Sequence, residues 1–164
     1  MTSHRTALSA FAAGLAARLP GTWTSKYQRH AQYADQFPRT DELWDTGHVD
    51  YIVSQYVLTH DAVLHGPADQ RLYVTDRPRY PHQFVVAPLA PDGPHIKPHH
   101  FAAVEEPNGI AVPKDPARAA GQVTRRVLSR YEPNRPCKRC STTRRPSPTP
   151  RTGPARHRST RSSP

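Results

Sequence analysis

The point at which large apolar side chains run out is the strongest constraint on what this chain can fold into. Beyond Asn134 the sequence is Arg, Pro, Ser and Thr with no large apolar residue. Such a segment cannot bury enough surface to offset the entropy of ordering it. The hydrophobic nucleus must therefore come from residues 1–133, and residues 134–164 are expected to form a disordered basic tail. Charge divides at the same place. Arg135–Pro164 holds nine Lys/Arg and no Asp or Glu, which leaves 14 Lys/Arg against 13 Asp/Glu in residues 1–134. The formal net charge of +10 belongs almost wholly to the tail, and the remainder is near neutral. The tail's composition also matches what GC-rich DNA encodes in a wrong frame, so a frameshift product is one reading of it.

A chain of 164 residues has room for one domain. The 19 Arg against 4 Lys suit phosphate binding through the guanidinium fork, but a GC-rich genome explains the same bias. At the N-terminus, Leu8, Phe11, Ala12, Leu15 and Leu19 fall at helical spacing with Ser3 as N-cap, which predicts an amphipathic helix stopped by Pro20-Gly21. A secretory signal is the competing reading of the same stretch. No run reaches the ~18–20 apolar residues of a transmembrane helix. The two cysteines, Cys137 and Cys140, both lie in the tail, which agrees with a cytoplasmic protein.

Pattern and turn chemistry predict the remaining elements. Thr22–Arg29 reads as a short strand and residues 30–40 as a loop closed by Phe37-Pro38, after which Thr40 offers an N-cap with Asp41 and Glu42 in the first turn. Val49, Ile52, Val53, Tyr56 and Val57 give a helical stripe over His48–His60. Ala62–His65 and Arg71–Thr75 flank a turn-rich break and read as a hairpin. Gln83–Pro88 and Gly109–Val112 are further strand candidates. A last helix is capped by Asp115 with Pro116 at its first position, and Ala119, Ala120, Val123, Val127 and Tyr131 form its apolar arc. Helices and strands are interspersed without a βαβ rhythm, which predicts an α+β fold: a small antiparallel sheet packed by two or three helices.

The glycines show neither dinucleotide nor P-loop spacing, and hydrolase, zincin and EF-hand signatures are missing. No catalytic residue is assigned. Zinc is the candidate cofactor, at His95, His99 and His100, where a loop carrying three imidazoles can wrap a cation; surface histidines in a His-rich chain are the alternative. Asp45, Gly47, His48 and Asp50 could form an acid–base pair, though Asp45 as a helix cap and His48 as a solvated residue is the commoner arrangement; His60-Asp61 is read the same way. Arg71, Tyr73, Arg77, Arg79 and Tyr80, with His82, interleave cations and aromatics as a strip that on an exposed sheet could stack bases and grip phosphates, although Arg71 and Tyr73 share a strand face with Thr75, a pattern equally natural for a solvated side. Cys137 and Cys140 form a C-x-x-C without a second pair.

The runs Leu19-Pro-Gly-Thr-Trp23, Gln36-Phe-Pro38, Glu42-Leu-Trp-Asp-Thr-Gly-His-Val49, Arg77-Pro-Arg-Tyr-Pro-His-Gln-Phe84 and Glu106-Pro-Asn-Gly-Ile-Ala-Val-Pro113 resemble a group of actinobacterial proteins with no assigned activity. The resemblance spans roughly residues 19–133, stops at the tail, and implies association with plasmid or conjugative elements. The leading expectation is a non-catalytic accessory or binding domain with a protein partner and no membrane association. The alternatives are a nucleic-acid-binding protein, with the basic tail contributing, and a small metal-dependent enzyme.

Overall fold

A computed structural model of the protein describes residues 3–44, 47–90 and 108–131. The fold is α+β. In chain order it comprises α1 (Ser3–Ala16), β1 (Thr24–Arg29), a 3-10 turn (Tyr33–Gln36) running into α2 (Phe37–Thr40), α3 (His48–Gln55), β2 (His60–His65), β3 (Arg71–Asp76), β4 (Gln83–Leu89), β5 (Ile110–Pro113) and α4 (Pro116–Val123). A π-helical segment (Thr124–Leu128) and a final turn, α5 (Ser129–Tyr131), continue α4. The five strands form one antiparallel sheet in sequential order, β1-β2-β3-β4-β5. Residues 134–164 lie outside the described residues.

Both faces of the sheet are covered, and strand alternation sorts side chains between two cores. Ala62, Leu64, Leu72, Val74, Phe84, Val86 and Val112 pack with Leu8, Phe11, Leu15, Val123 and Val127 of α1 and the C-terminal helix. Val63, Tyr73, Val85, Ala87 and Leu89 pack with Leu43, Val49, Ile52, Val53 and Leu58 on the opposite side. A strand buried on both faces shows an unbroken apolar run, which is why Phe84–Ala87 lacks polar alternation. β1, at one edge, is mostly exposed and carries Lys26, Gln28 and Arg29. Charged residues there disfavour pairing with a further chain.

The apolar stripe of α1 lies in the first core as the spacing predicted, with Phe11 and Phe84 ring centroids 4.3 Å apart. A Cβ at Gly14 would sit 3.0 Å from Pro116 Cγ, so glycine lets α1 approach the start of α4. Gly21 follows with φ 89°, a left-handed conformation that glycine adopts without steric cost. At the other end, Asp115 caps α4 by accepting from the Ala117 N–H at 3.0 Å, and Ala119, Ala120, Val123, Val127 and Tyr131 are all buried.

Two expectations fail between β1 and β2. The helix predicted over His48–His60 stops at Gln55, where Tyr56 turns extended (φ −121°, ψ 142°) so that the chain can enter β2; Val57 is 69% exposed instead of joining the stripe. The helix start expected at Thr40 is the end of the single turn α2, and the chain then runs along β4, with a bridge between Leu43 and Leu89 and Trp44 N–H donating to Pro88 C=O at 3.1 Å. Gln36, inside the stretch read as loop, is fully buried. Its Nε2 donates to the carbonyls of Val53 and of Tyr56, the latter at 2.9 Å, and its Oε1 accepts from Leu58 N–H at 2.9 Å. It thereby satisfies carbonyls that the end of α3 leaves without an intrahelical donor.

Gly121 lies inside α4 and a Cβ there would meet nothing within 4 Å. Gly121→Ala is therefore expected to stabilise the fold by about 0.5–1 kcal/mol through helix propensity, measured as a raised urea midpoint with an unchanged slope.

Candidate functional site

His60 and Asp61 are neighbours in sequence, but they sit on a strand, so their side chains leave opposite faces of the sheet. His60 turns toward the α1 face and pairs with Asp76, Nε2 to Oδ2 2.5 Å, with the Tyr27 ring 5.8 Å away. Asp61 turns to the α3 face and pairs with His30, Oδ2 to Nε2 2.9 Å, with side-chain exposures of 0% and 1%. Burial pushes the Asp61 carboxyl above its usual range, against the attraction of the His30 imidazole. Tyr73, two positions along the neighbouring strand, has its hydroxyl pushed up as well, first by burial and then by the Asp61 charge. Fully enclosed, the His30–Asp61 pair has no surface on which to meet a substrate, and its physical role is to hold β2 to the end of β1. The sequence reading missed His30 and Asp76 because both partners are remote along the chain.

The strip read as a nucleic-acid platform divides in two. Tyr73 is completely buried, and Arg71 is half-buried, donating to Glu42 Oε2 at 3.1 Å and to the Ala90 carbonyl at 2.8 Å. The expected exposed strand face is corrected: Arg71, Tyr73 and Thr75 point into the second core, where no base can stack. Arg77, Arg79 and Tyr80 instead come together in the β3–β4 turn. The Arg77 guanidinium lies 4.0 Å from the Tyr80 ring centroid and that of Arg79 6.0 Å from the Tyr56 ring, distances at which a cation is attracted to a ring face. Tyr80 N–H donates to Arg77 C=O at 3.1 Å, with Pro78 second and Arg79, at φ 66°, third. That is the arrangement of a type II turn, whose third position ordinarily calls for glycine.

Of the remaining candidates, His48 is exposed and Asp50 half-buried in the first turn of α3, and Gly47 precedes it; Asp45 lies outside the described residues. His82 is exposed. His95, His99, His100, Cys137 and Cys140 lie outside the described residues, among which no group of three metal-ligating side chains occurs. No described helix is long and apolar enough to cross a membrane.

The outer layer formed by the 3-10 turn, α2 and α3 carries what sequence reasoning missed. Tyr33 and Phe37 meet edge to face at 4.8 Å, and the Tyr33 hydroxyl donates to the Ser54 carbonyl at 2.9 Å, fixing the pair against α3. Both are exposed, as are Tyr51 at 56% and Val57 at 69%. Arg79, over Tyr56, brings the β3–β4 turn and its exposed Tyr80 to the same end of α3. One signal was available: Tyr51 falls off the stripe of Val49, Ile52 and Val53, which places it on the outward side of the helix.

Compared with known proteins, the chain matches no family model, no curated protein and no solved structure.

Removing His30 would leave the Asp61 carboxylate buried without its partner. His30→Ala is expected to cost about 3–5 kcal/mol at neutral pH, while His30→Leu combined with Asp61→Leu recovers most of it; chemical denaturation of the three proteins checks both. The pH dependence has a definite sign. Because the folded-state pKa of Asp61 is raised, its contribution favours the fold below the ordinary carboxylate range and is lost as pH climbs through the raised value. The deficit of His30→Ala should therefore shrink on acidification, and a deficit that stays constant or grows would contradict this assignment.

Proposed function

We propose that the folded part of this protein is a non-catalytic binding module whose partner is another protein, docked on the outer layer of α3 and the adjoining β3–β4 turn. The observation that carries this reading is the exposure of Tyr33, Phe37, Tyr51, Val57 and Tyr80 beside Arg77 and Arg79. Tyr, Phe and Arg are the side chains over-represented where proteins meet, because they bring large contact area together with a polar end. Backbone strain supports it. Arg79 keeps a left-handed conformation in which a non-glycine residue costs about 1 kcal/mol. An arginine kept where glycine would be more stable is explained by what its guanidinium contacts.

The test is a selection of protein ligands from a displayed library against the full chain, followed by variants. Tyr51→Ser with Val57→Ser should reduce affinity by at least ~tenfold with an unchanged melting temperature, since truncating central aromatic anchors costs about 2 kcal/mol or more. Arg79→Gly should raise the melting temperature and lower affinity together. Ligands indifferent to all three substitutions would refute this surface as the docking site.

A further inference from the structure

Beyond that surface, we propose that the groove between the end of α1 and the C-terminal helix, on the α1 side of the sheet, binds the phosphate backbone of double-stranded nucleic acid independently of its sequence. The groove, about 900 Å³, is lined by Arg18, Arg118 and Arg125 together with Gln122, Thr124 and Gly121. All three arginines are exposed, and among the described residues none has a carboxylate within ion-pairing distance. Two of them are nevertheless positioned. Arg18 Nη1 donates to Gly14 C=O at 2.9 Å and Arg125 Nε to Gly121 C=O at 3.0 Å. One donor of each is tied to a helix carbonyl, which holds the guanidinium in place and leaves its other N–H groups for a ligand.

Local structure supports the assignment. Gly121 supplies no side chain at the groove floor, and its glycine has no packing reason, since a Cβ would meet nothing within 4 Å. Arg125 and Arg126 sit in the π-helical segment Thr124–Leu128, a helix irregularity that recurs at functional sites. From Pro116 to Tyr131 the helix carries Arg118, Arg125, Arg126 and Arg130 and no acid, and the chain then enters a stretch with nine Lys/Arg between Arg135 and Pro164.

The lining favours one polyanion over others. An acidic peptide would seat large apolar anchors as well as carboxylates, whereas the apolar residues lining this groove are two alanines, Ala117 and Ala120. Single-stranded nucleic acid needs aromatic platforms for its bases, and no aromatic residue lines the groove. A duplex backbone asks only for charge and N–H donors, which the arginine fork supplies in matched geometry.

The experiment is fluorescence anisotropy with the full chain and a ~20-base-pair DNA duplex of arbitrary sequence, over a salt series. Each phosphate contact contributes about 0.9 to the slope of log K against log salt, so Arg118→Ala with Arg125→Ala should flatten that slope by ~1.8. Gly121→Glu, which places a carboxylate on the groove floor, should weaken binding at least ~tenfold, whereas Gly121→Ala should leave it intact; melting curves establish that each variant is folded. A slope unchanged in the double variant would overturn the proposal by assigning all binding to residues 135–164. Tighter, arginine-dependent binding of polyglutamate or of the single strand would overturn it in favour of those ligands.

Discussion

Burial of both sheet faces is the constraint from which the other features follow. An antiparallel sheet ordinarily leaves one face to water and can alternate polar with apolar residues. Here β2, β3 and β4 are covered by α1 and the C-terminal helix on one side and by α3 with Leu43 and Leu58 on the other. Polar side chains drawn beneath these layers are paired in three places: His60 with Asp76, Asp61 with His30, and Gln36 of the 3-10 turn with the backbone at the end of α3.

The layers are also tied at one end. Tyr131, the last residue of the C-terminal helix, is fully buried; its hydroxyl donates to the Leu89 carbonyl at 3.0 Å, and its ring meets Trp44 edge to face at 5.3 Å. Trp44 in turn follows the Leu43 bridge to Leu89. The end of β4 thus joins a helix from one face to the segment that leads into α3 on the other. With these pairs enclosed between the layers, the groups that face outward are aromatics with Arg77 and Arg79 around α3, and arginines along the C-terminal helix.

Much of the fold was legible in the sequence, and what was not has identifiable causes. The last helix announced itself through Asp115, Pro116 and an apolar arc because capping and periodicity are local. The five strand segments were found because Gly and Pro punctuate them. The end of α3 was not, since Val53, Tyr56 and Val57 continue a helical stripe that the tertiary need to enter β2 cuts short. Gln36 resembled a loop residue because its partners, Val53, Tyr56 and Leu58, come some twenty positions later. For the site, Arg77, Arg79 and Tyr80 do come together in one turn, whereas Tyr73 is buried because a second helix layer covers it, which nothing local in the sequence signals. The exposed set on α3 was missed because attention to the apolar stripe leaves the outward residues unread.

The two-sided burial of the central strands is tested most directly by native-state hydrogen exchange resolved to individual amides. The account predicts the slowest exchange in β2, β3 and β4, with Val63, Tyr73 and Val85 as protected as Leu64, Val74 and Val86, and markedly faster exchange in the edge strand β1. Strands whose amides exchange rapidly while α1 and the C-terminal helix stay protected would mean that the second layer does not cover the sheet, and the account would fail.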